Sequence, residues 1–235
     1  MNEKKSQMVN LNDEAEVKQI LVDSVLGLWK IVNNLTRVQP SKRERYRVTI
    51  FGSARIQPNT FAYDEVKRLA KAITEMGGDV VTGGGPGLML AANEGAASNK
   101  SQEGSIGIRV DLPFEQEVNP FVQEVYEHQT FFTRLHHFVL ASDAFVVTPG
   151  GIGTLLEAAM IWQLLQVRHI KDTPLIFVGK MWSDLVKWIK EHMMNAETPL
   201  INAEDINIAV CLNSADDAIE VLQKHHDQWL AANGS

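Results

Sequence analysis

The stretch DAFVVTPGGIGTLLEAA, residues 143–159, runs from an apolar segment through three glycines and a proline into a helical pattern. A short apolar strand, a glycine turn and a helix in that order are the unit from which parallel sheets are built. The same stretch poses a chemical question. A glycine loop that opens a helix suits an anion, because unpaired N–H groups and the helix dipole both face it. Yet Glu157 puts a negative charge one turn into that helix. The carboxylate either caps the helix, since Thr154 and Glu157 have capping-box spacing, or it works on a part of the ligand away from the anion. Spacing alone allows both.

Outward from this stretch the pattern repeats. RVTIFG (47–52), DVVTG (79–83), GSIGIRV (104–110) and PLIFVG (174–179) read as buried strands, with a weaker one near 208–212. Helical patterns at 60–76, 86–98, 131–141, beyond 150 to about 167, 182–194 and 215–230 lie between or after them. Gly77 and Gly78 end the first of these, and Pro86 fits the first turn of the second, where its missing N–H costs nothing. The segment LPFEQEVNPF (112–121), with its two prolines, reads as a loop. Strands of five or six apolar residues separated by helices predict an α/β fold, a doubly wound Rossmann-like parallel sheet covered on both faces. Ligands of such folds bind beyond the carboxyl ends of the strands. Before all this, residues 13–36 place Val17, Ile20, Leu21, Leu28, Ile31, Val32 and Leu35 on one helical face. The expected organisation is an N-terminal amphipathic helix and linker over 1–40 and a single Rossmann-like nucleotide-binding domain over 41–235.

Composition narrows the function classes. The chain has 235 residues, 45% hydrophobic and 22% charged, which is ordinary for a globular domain. No apolar stretch approaches the roughly 20 residues that cross a bilayer, and the polar, acidic start does not read as a secretory signal. A single cysteine, Cys211, excludes an intramolecular disulfide and a cysteine-based zinc site. A cytoplasmic protein without membrane attachment is expected. With 22 Lys+Arg against 29 Asp+Glu the formal charge is −7, which opposes binding to nucleic acid. The one basic cluster, Lys42, Arg43, Arg45 and Arg47, is interrupted by Glu44 and reads as a solvated linker or a subunit contact.

Two glycine loops stand out as binding elements. In TGGGPGLMLAAN (82–93), Gly84 and Gly85 let the backbone turn sharply and approach a ligand closely. In the second loop Gly150, Gly151 and Gly153 free the backbone amides and Thr154 adds a hydroxyl, together a phosphate site. Neither loop matches GxxxxGK[ST] or a full GxGxxG, so a Walker ATPase or a standard dinucleotide fingerprint is not supported. Arg134 precedes the strand that feeds the second loop; it is either an exposed helix arginine or a fork for phosphate or a leaving base. His136 and His137 follow it, but adjacent helix positions face different ways, and no metal-ligand spacing occurs elsewhere; no metal and no cofactor are expected. Glu115, Gln116 and Asn119 form a polar group on the loop after the third strand, and Ser53 and Arg55 follow the first strand; each is a ligand donor or a plain loop residue. Trp162, Trp182 and Trp188 sit in helical patterns and read as core or interface.

Taken in order, FGSAR, GGGPGLM, LPFEQEVNP, FFTRLHHFVLASDAFVV and PGGIGTLLE resemble the LONELY GUY (LOG) family, whose members have often been labelled "possible lysine decarboxylase". The resemblance covers most of residues 47–221 and leaves the N-terminal helix outside. It implies hydrolysis of the N-glycosidic bond of nucleoside 5′-monophosphates, AMP-like or cytokinin nucleotides, to a free base and ribose 5-phosphate. The family's catalytic pair falls on Arg134 and Glu157, its phosphate loop on Gly150, Gly151, Gly153 and Thr154, and Glu115 would meet the base or sugar. A purine nucleoside 5′-monophosphate as substrate and a homodimer or higher homo-oligomer are implied with it. Two positions depart from the family pattern: Leu135 stands where many members have lysine, and Leu156 where many have an acidic residue. The first departure keeps open a non-catalytic carrier of a nucleotide or a molybdenum-cofactor-type group on the same scaffold. Decarboxylation is not supported, because a pyridoxal phosphate enzyme needs a Schiff-base lysine and neither glycine loop contains one.

Overall fold

The computed structural model describes residues 14–35, 44–99, 104–110 and 117–233. The chain divides into two compact units, Met1–Ser41 and Lys42–Ser235. The described part of the first is one helix, α1 (Glu14–Leu35), with Ile20, Leu21 and Leu28 exposed along it.

The second unit alternates strands and helices: β1 (Arg47–Phe51), α2 (Phe61–Glu75), β2 (Asp79–Thr82), α3 (Leu88–Ala97), β3 (Ser105–Val110), β4 (Glu124–His128), α4 (Phe131–Ala141) and β5 (Ala144–Val147). It continues with α5 (Ile152–Gln166), β6 (Leu175–Val178), α6 (Lys180–Ile189), α7 (Ala203–Asn207), β7 (Ala209–Leu212) and α8 (Ala215–Asn233). The strands form one seven-stranded sheet in the order β4-β3-β2-β1-β5-β6-β7, every pairing parallel. The expected doubly wound α/β fold is the fold of this unit.

Alternation along the strands builds two cores. Val48, Ile50, Val80, Val146 and Ile176 face Leu69 and Ile73 of α2, Leu88 of α3 and Leu222 of α8. Their neighbours Phe51, Val81, Phe145, Val147 and Phe177 face Phe138 of α4, Ile161 of α5 and Trp182 of α6. Because helices cover both faces, nearly every side chain of the central strands is apolar.

Four sequence expectations change. β4 forms where the sequence pattern predicts no element; its residues EVYEH are polar and mostly exposed, and backbone pairing with β3 holds it at the sheet edge. The short α7 was also unforeseen. The helix expected from residue 86 begins at Leu88, leaving Pro86 in the loop before it. Arg45 and Arg47 are not in a solvated linker: they pair with buried Asp79 at 2.6 and 3.4 Å, where the sheet begins. Burial outweighs both arginines and holds the Asp79 carboxyl above its ordinary range. Lys42 and Arg43 lie outside the described residues.

Candidate functional site

The sheet reverses its winding between β1 and β5, and the loops leaving their carboxyl ends flank the crevice that this reversal opens. Ser53, just past β1, sits between the two glycine loops. Its N–H donates to Pro149 O at 3.0 Å, and its O accepts from Leu88 N–H at 2.8 Å. That contact requires glycine at Gly87, which has a φ of 70°; a Cβ there would lie 2.2 Å from Ser53 O.

A buried polar network holds the first glycine loop from below. Thr82 Oγ1 donates to Asn93 Oδ1 at 2.7 Å and accepts from Gly84 N–H at 2.9 Å. Asn93 Nδ2 donates to Ser105 Oγ. Asn119 completes the set: its N–H donates to Gly84 O, and its Nδ2 to Gly85 O and Asn93 Oδ1. Thr82 and Asn93 are wholly buried, so each partner matters: an unpaired polar group there costs about 1–3 kcal/mol.

Arg134, near the start of α4, is not an exposed helix arginine; only 9% of it reaches solvent. Its Nε donates to Ile108 O at 2.9 Å, and its guanidinium lies over the Phe138 ring at 5.3 Å. Nη2 occupies the space above Gly83, where a Cβ would come within 2.3 Å of it. Nη1 is 3.8 Å from Glu157 Oε1. The Glu157 side chain is 13% exposed, and burial pushes its pKa up to about 7 against the pull of the Arg134 charge. A carboxylate poised near neutrality beside a fixed cation suits proton transfer or the stabilisation of positive charge.

The capping reading of Glu157 is overturned. The N-cap of α5 is Gly151, which makes no side-chain cap bond, so Thr154 is already the third helical residue and Glu157 lies beyond the first turn. The first helical bond runs from Leu155 N–H to Gly151 O, which leaves the amides of Ile152, Gly153 and Thr154 ahead of it. Thr154 is buried and folds over Gly150, where a Cβ would meet its Oγ1 at 2.2 Å. Gly151 and Gly153 face open space.

A cleft of about 310 Å³ opens over the first glycine loop. Gly84, Gly85 and Arg134 line it, together with Arg55, Arg109, Gly83, Met89 and Val118. The second glycine loop does not line this cleft; it reaches it through Glu157 and Arg134. Glu115 and Gln116 lie outside the described residues. Arg109, Gly83 and Asn93 were missed in the sequence. Arg109 had a signal, a charge inside an otherwise apolar strand. Asn93 also had one, a lone amide in an alanine-rich helix. Among the described residues no group of three or more His, Cys, Asp or Glu is placed to hold a metal ion. His137 instead meets His128, Nδ1 to Nε2 at 2.8 Å. Among the described residues no helix is long and apolar enough to cross a membrane.

Residues 89–222 match the family described as possible lysine decarboxylase, and the chain belongs to that family, the LOG family. A stretch of 157 residues, 63% of the chain, is 29% identical to the pyrimidine/purine nucleotide 5′-monophosphate nucleosidase of Escherichia coli strain K12. The proteins of that name from E. coli O6:H1 and O157:H7 match to the same extent. The match covers 34% of each relative, so the chain spans about a third of their length. Among solved structures, the molybdenum cofactor binding protein of the phototrophic bacterium Rippkaea orientalis superposes with a TM-score of 0.56 at 22% identity, over 78% of this chain and 98% of that one. The Moco carrier protein of Chlamydomonas reinhardtii gives 0.56 at 20%, over 79% and 99%. At these identities the likeness is one of fold.

Proposed function

We propose that the chain hydrolyses the N-glycosidic bond of nucleoside 5′-monophosphates, releasing the base and ribose 5-phosphate. The observation that carries this reading is the Arg134–Glu157 pair, 3.8 Å apart, set between a glycine loop at a helix N-terminus and a cleft. The amides of Gly151, Ile152, Gly153 and Thr154, with the Thr154 hydroxyl, take the phosphate. Glu157, one turn further, faces the ribose. As the C1′–N bond breaks, positive charge grows on the sugar, and an ionised Glu157 stabilises it. A water oxygen then bonds to C1′, and the proton it gives up ends on the departing base nitrogen. Arg134 steadies the base as it leaves with the bond's electron pair.

Similarity to the nucleotide nucleosidases supports this reading over decarboxylation, and none of the described residues lining the cleft is a lysine. The same reading makes the chain a cytoplasmic homodimer or larger assembly, with 1–40 as an appendage to a nucleotide-binding domain over 41–235. Incubation with AMP, GMP, IMP, CMP and an isopentenyl-adenine nucleotide, assayed for free base, tests the reaction. Release that persists undiminished in Glu157→Gln would remove the carboxylate from the mechanism.

A second reading has one residue in its favour. Leu135, buried beside Arg134, stands where many family members carry lysine, so the site lacks that cation. A chain that binds a nucleotide or a molybdenum-cofactor-type ligand without cleaving it has no need of one. Tight nucleotide binding with no base released from any substrate would favour this carrier.

A further inference from the structure

Three arginines, Arg55, Arg109 and Arg134, line the cleft over the first glycine loop. A guanidinium donates through five N–H groups and accepts nothing. The carbonyls of Gly84 and Gly85 in this lining already accept from Asn119. The carboxylates that pair with two of the arginines, Glu127 at 3.6 Å from Arg109 and Glu157 at 3.8 Å from Arg134, are not among the residues lining the cleft. Of the described side chains that line the cleft, only the Met89 thioether accepts, and weakly. A ligand therefore meets hydrogen-bond donors set beside an apolar wall of Met89 and Val118.

This inference rests on the proposed hydrolysis and deepens it. With phosphate at the start of α5 and ribose at Glu157, the base extends past Arg134, which both pairs with Glu157 and lines the cleft. We infer that the cleft selects nucleotides whose base presents acceptors, the 6-oxopurines, over 6-aminopurines. Hypoxanthine and guanine offer O6 and N7 on one edge, which a guanidinium fork bonds together. Adenine keeps N7 but replaces O6 with an amino group, so a donor faces a donor. Arg109 and Arg55 are the specificity-determining residues, because Arg134 is tied to Ile108 O and Glu157.

IMP and AMP differ at position 6 and in the proton that N1 carries in IMP, and they form the test pair. The full chain is expected to release hypoxanthine from IMP with a kcat/KM about tenfold or more above that for adenine from AMP, the lower part of what one bidentate arginine gives a base. In Arg109→Gln the preference shrinks toward unity, because glutamine offers both a donor and an acceptor. Arg55→Gln, on an exposed loop, is the second variant should Arg109→Gln fold poorly. Cleavage of AMP as fast as IMP overturns the inference and leaves the hydrolysis standing. If neither is cleaved, calorimetric titration of Glu157→Gln with both nucleotides decides. Tighter IMP binding then keeps the donor-lined cleft while hydrolysis falls, and equal affinities overturn the cleft's selectivity as well.

Discussion

Replacing Glu157 by glutamine should stabilise the folded protein at alkaline pH and leave it nearly unchanged in acid. The carboxyl is held at about 7 in the folded protein against an ordinary 4.5, mainly because burial strips water from the charged form. At about 1.4 kcal/mol per pH unit, ionising it costs about 3 kcal/mol more in the folded protein than in the unfolded chain. Between those two values the unfolded chain has lost its proton and the folded protein keeps it. Stability therefore falls as pH rises from about 4.5 to 7, then levels off. Glutamine carries no charge at any pH and escapes this fall. Urea unfolding of both proteins from pH 5 to pH 9 gives the quantity needed, the change with pH in their stability difference. Titrating histidines such as His128 and His137 are present in both and cancel. The variant should gain about 3 kcal/mol on the wild type across the range, a ceiling reached only if Arg134 keeps its place. A difference that stays constant, or grows against the variant at high pH, would show that the carboxylate is well solvated or strongly held by Arg134. A helix cap predicts the opposite sign, a loss of roughly 0.5–2 kcal/mol.

Gly83→Ala places a Cβ 2.3 Å from Arg134 Nη2 and 2.7 Å from Met89 Sδ, both ends of flexible side chains. The fold should survive, while base release falls at least tenfold as Arg134 is displaced; thermal melting and kinetics on one preparation separate the two. Gly153→Ala meets nothing within 4 Å, and alanine should stabilise the helix by about 0.5–1 kcal/mol. It should nonetheless raise KM for nucleotides and weaken inhibition by ribose 5-phosphate, because the methyl enters the anion's space. Unchanged KM would move the phosphate elsewhere. Asn93→Ala leaves Thr82, Ser105 and Asn119 each short of a partner, at about 1–3 kcal/mol for each group left unpaired. A large drop in the urea midpoint is expected, and a variant as stable as the parent would show that the loop rearranges without it.

The sequence revealed the fold where burial on both faces left a plain record. RVTIF, AFVV and LIFV are apolar because helices cover them above and below. EVYEH left no such record, since an edge strand with its side chains in solvent is held by main-chain pairing alone. The site was legible in its residue types more than in its geometry. Thr154 and Glu157 match a capping box in spacing, yet the helix already starts at Ile152, two residues before the Thr154 cap that such a box requires. The burial of Arg134 could not be read locally, because the room for its guanidinium comes from Gly83, on another strand's loop. Arg109 was passed over as part of a strand. Its position in the cleft depends on where β3 ends relative to the first glycine loop, and the order of strands in the sheet sets that.

Ser53 joins the two glycine loops with its main-chain N–H and carbonyl alone. Its hydroxyl takes no part in that junction; among the described residues it accepts from Arg55 N–H. The alignment of the two halves of the crevice is therefore indifferent to what side chain this residue carries. Evolution can vary residue 53 to suit a ligand without loosening the frame. Ser53→Ala keeps both main-chain bonds of the junction and removes the acceptor for Arg55 N–H, so its effect on turnover reports on the ligand and on the Arg55 turn rather than on the alignment of the two loops.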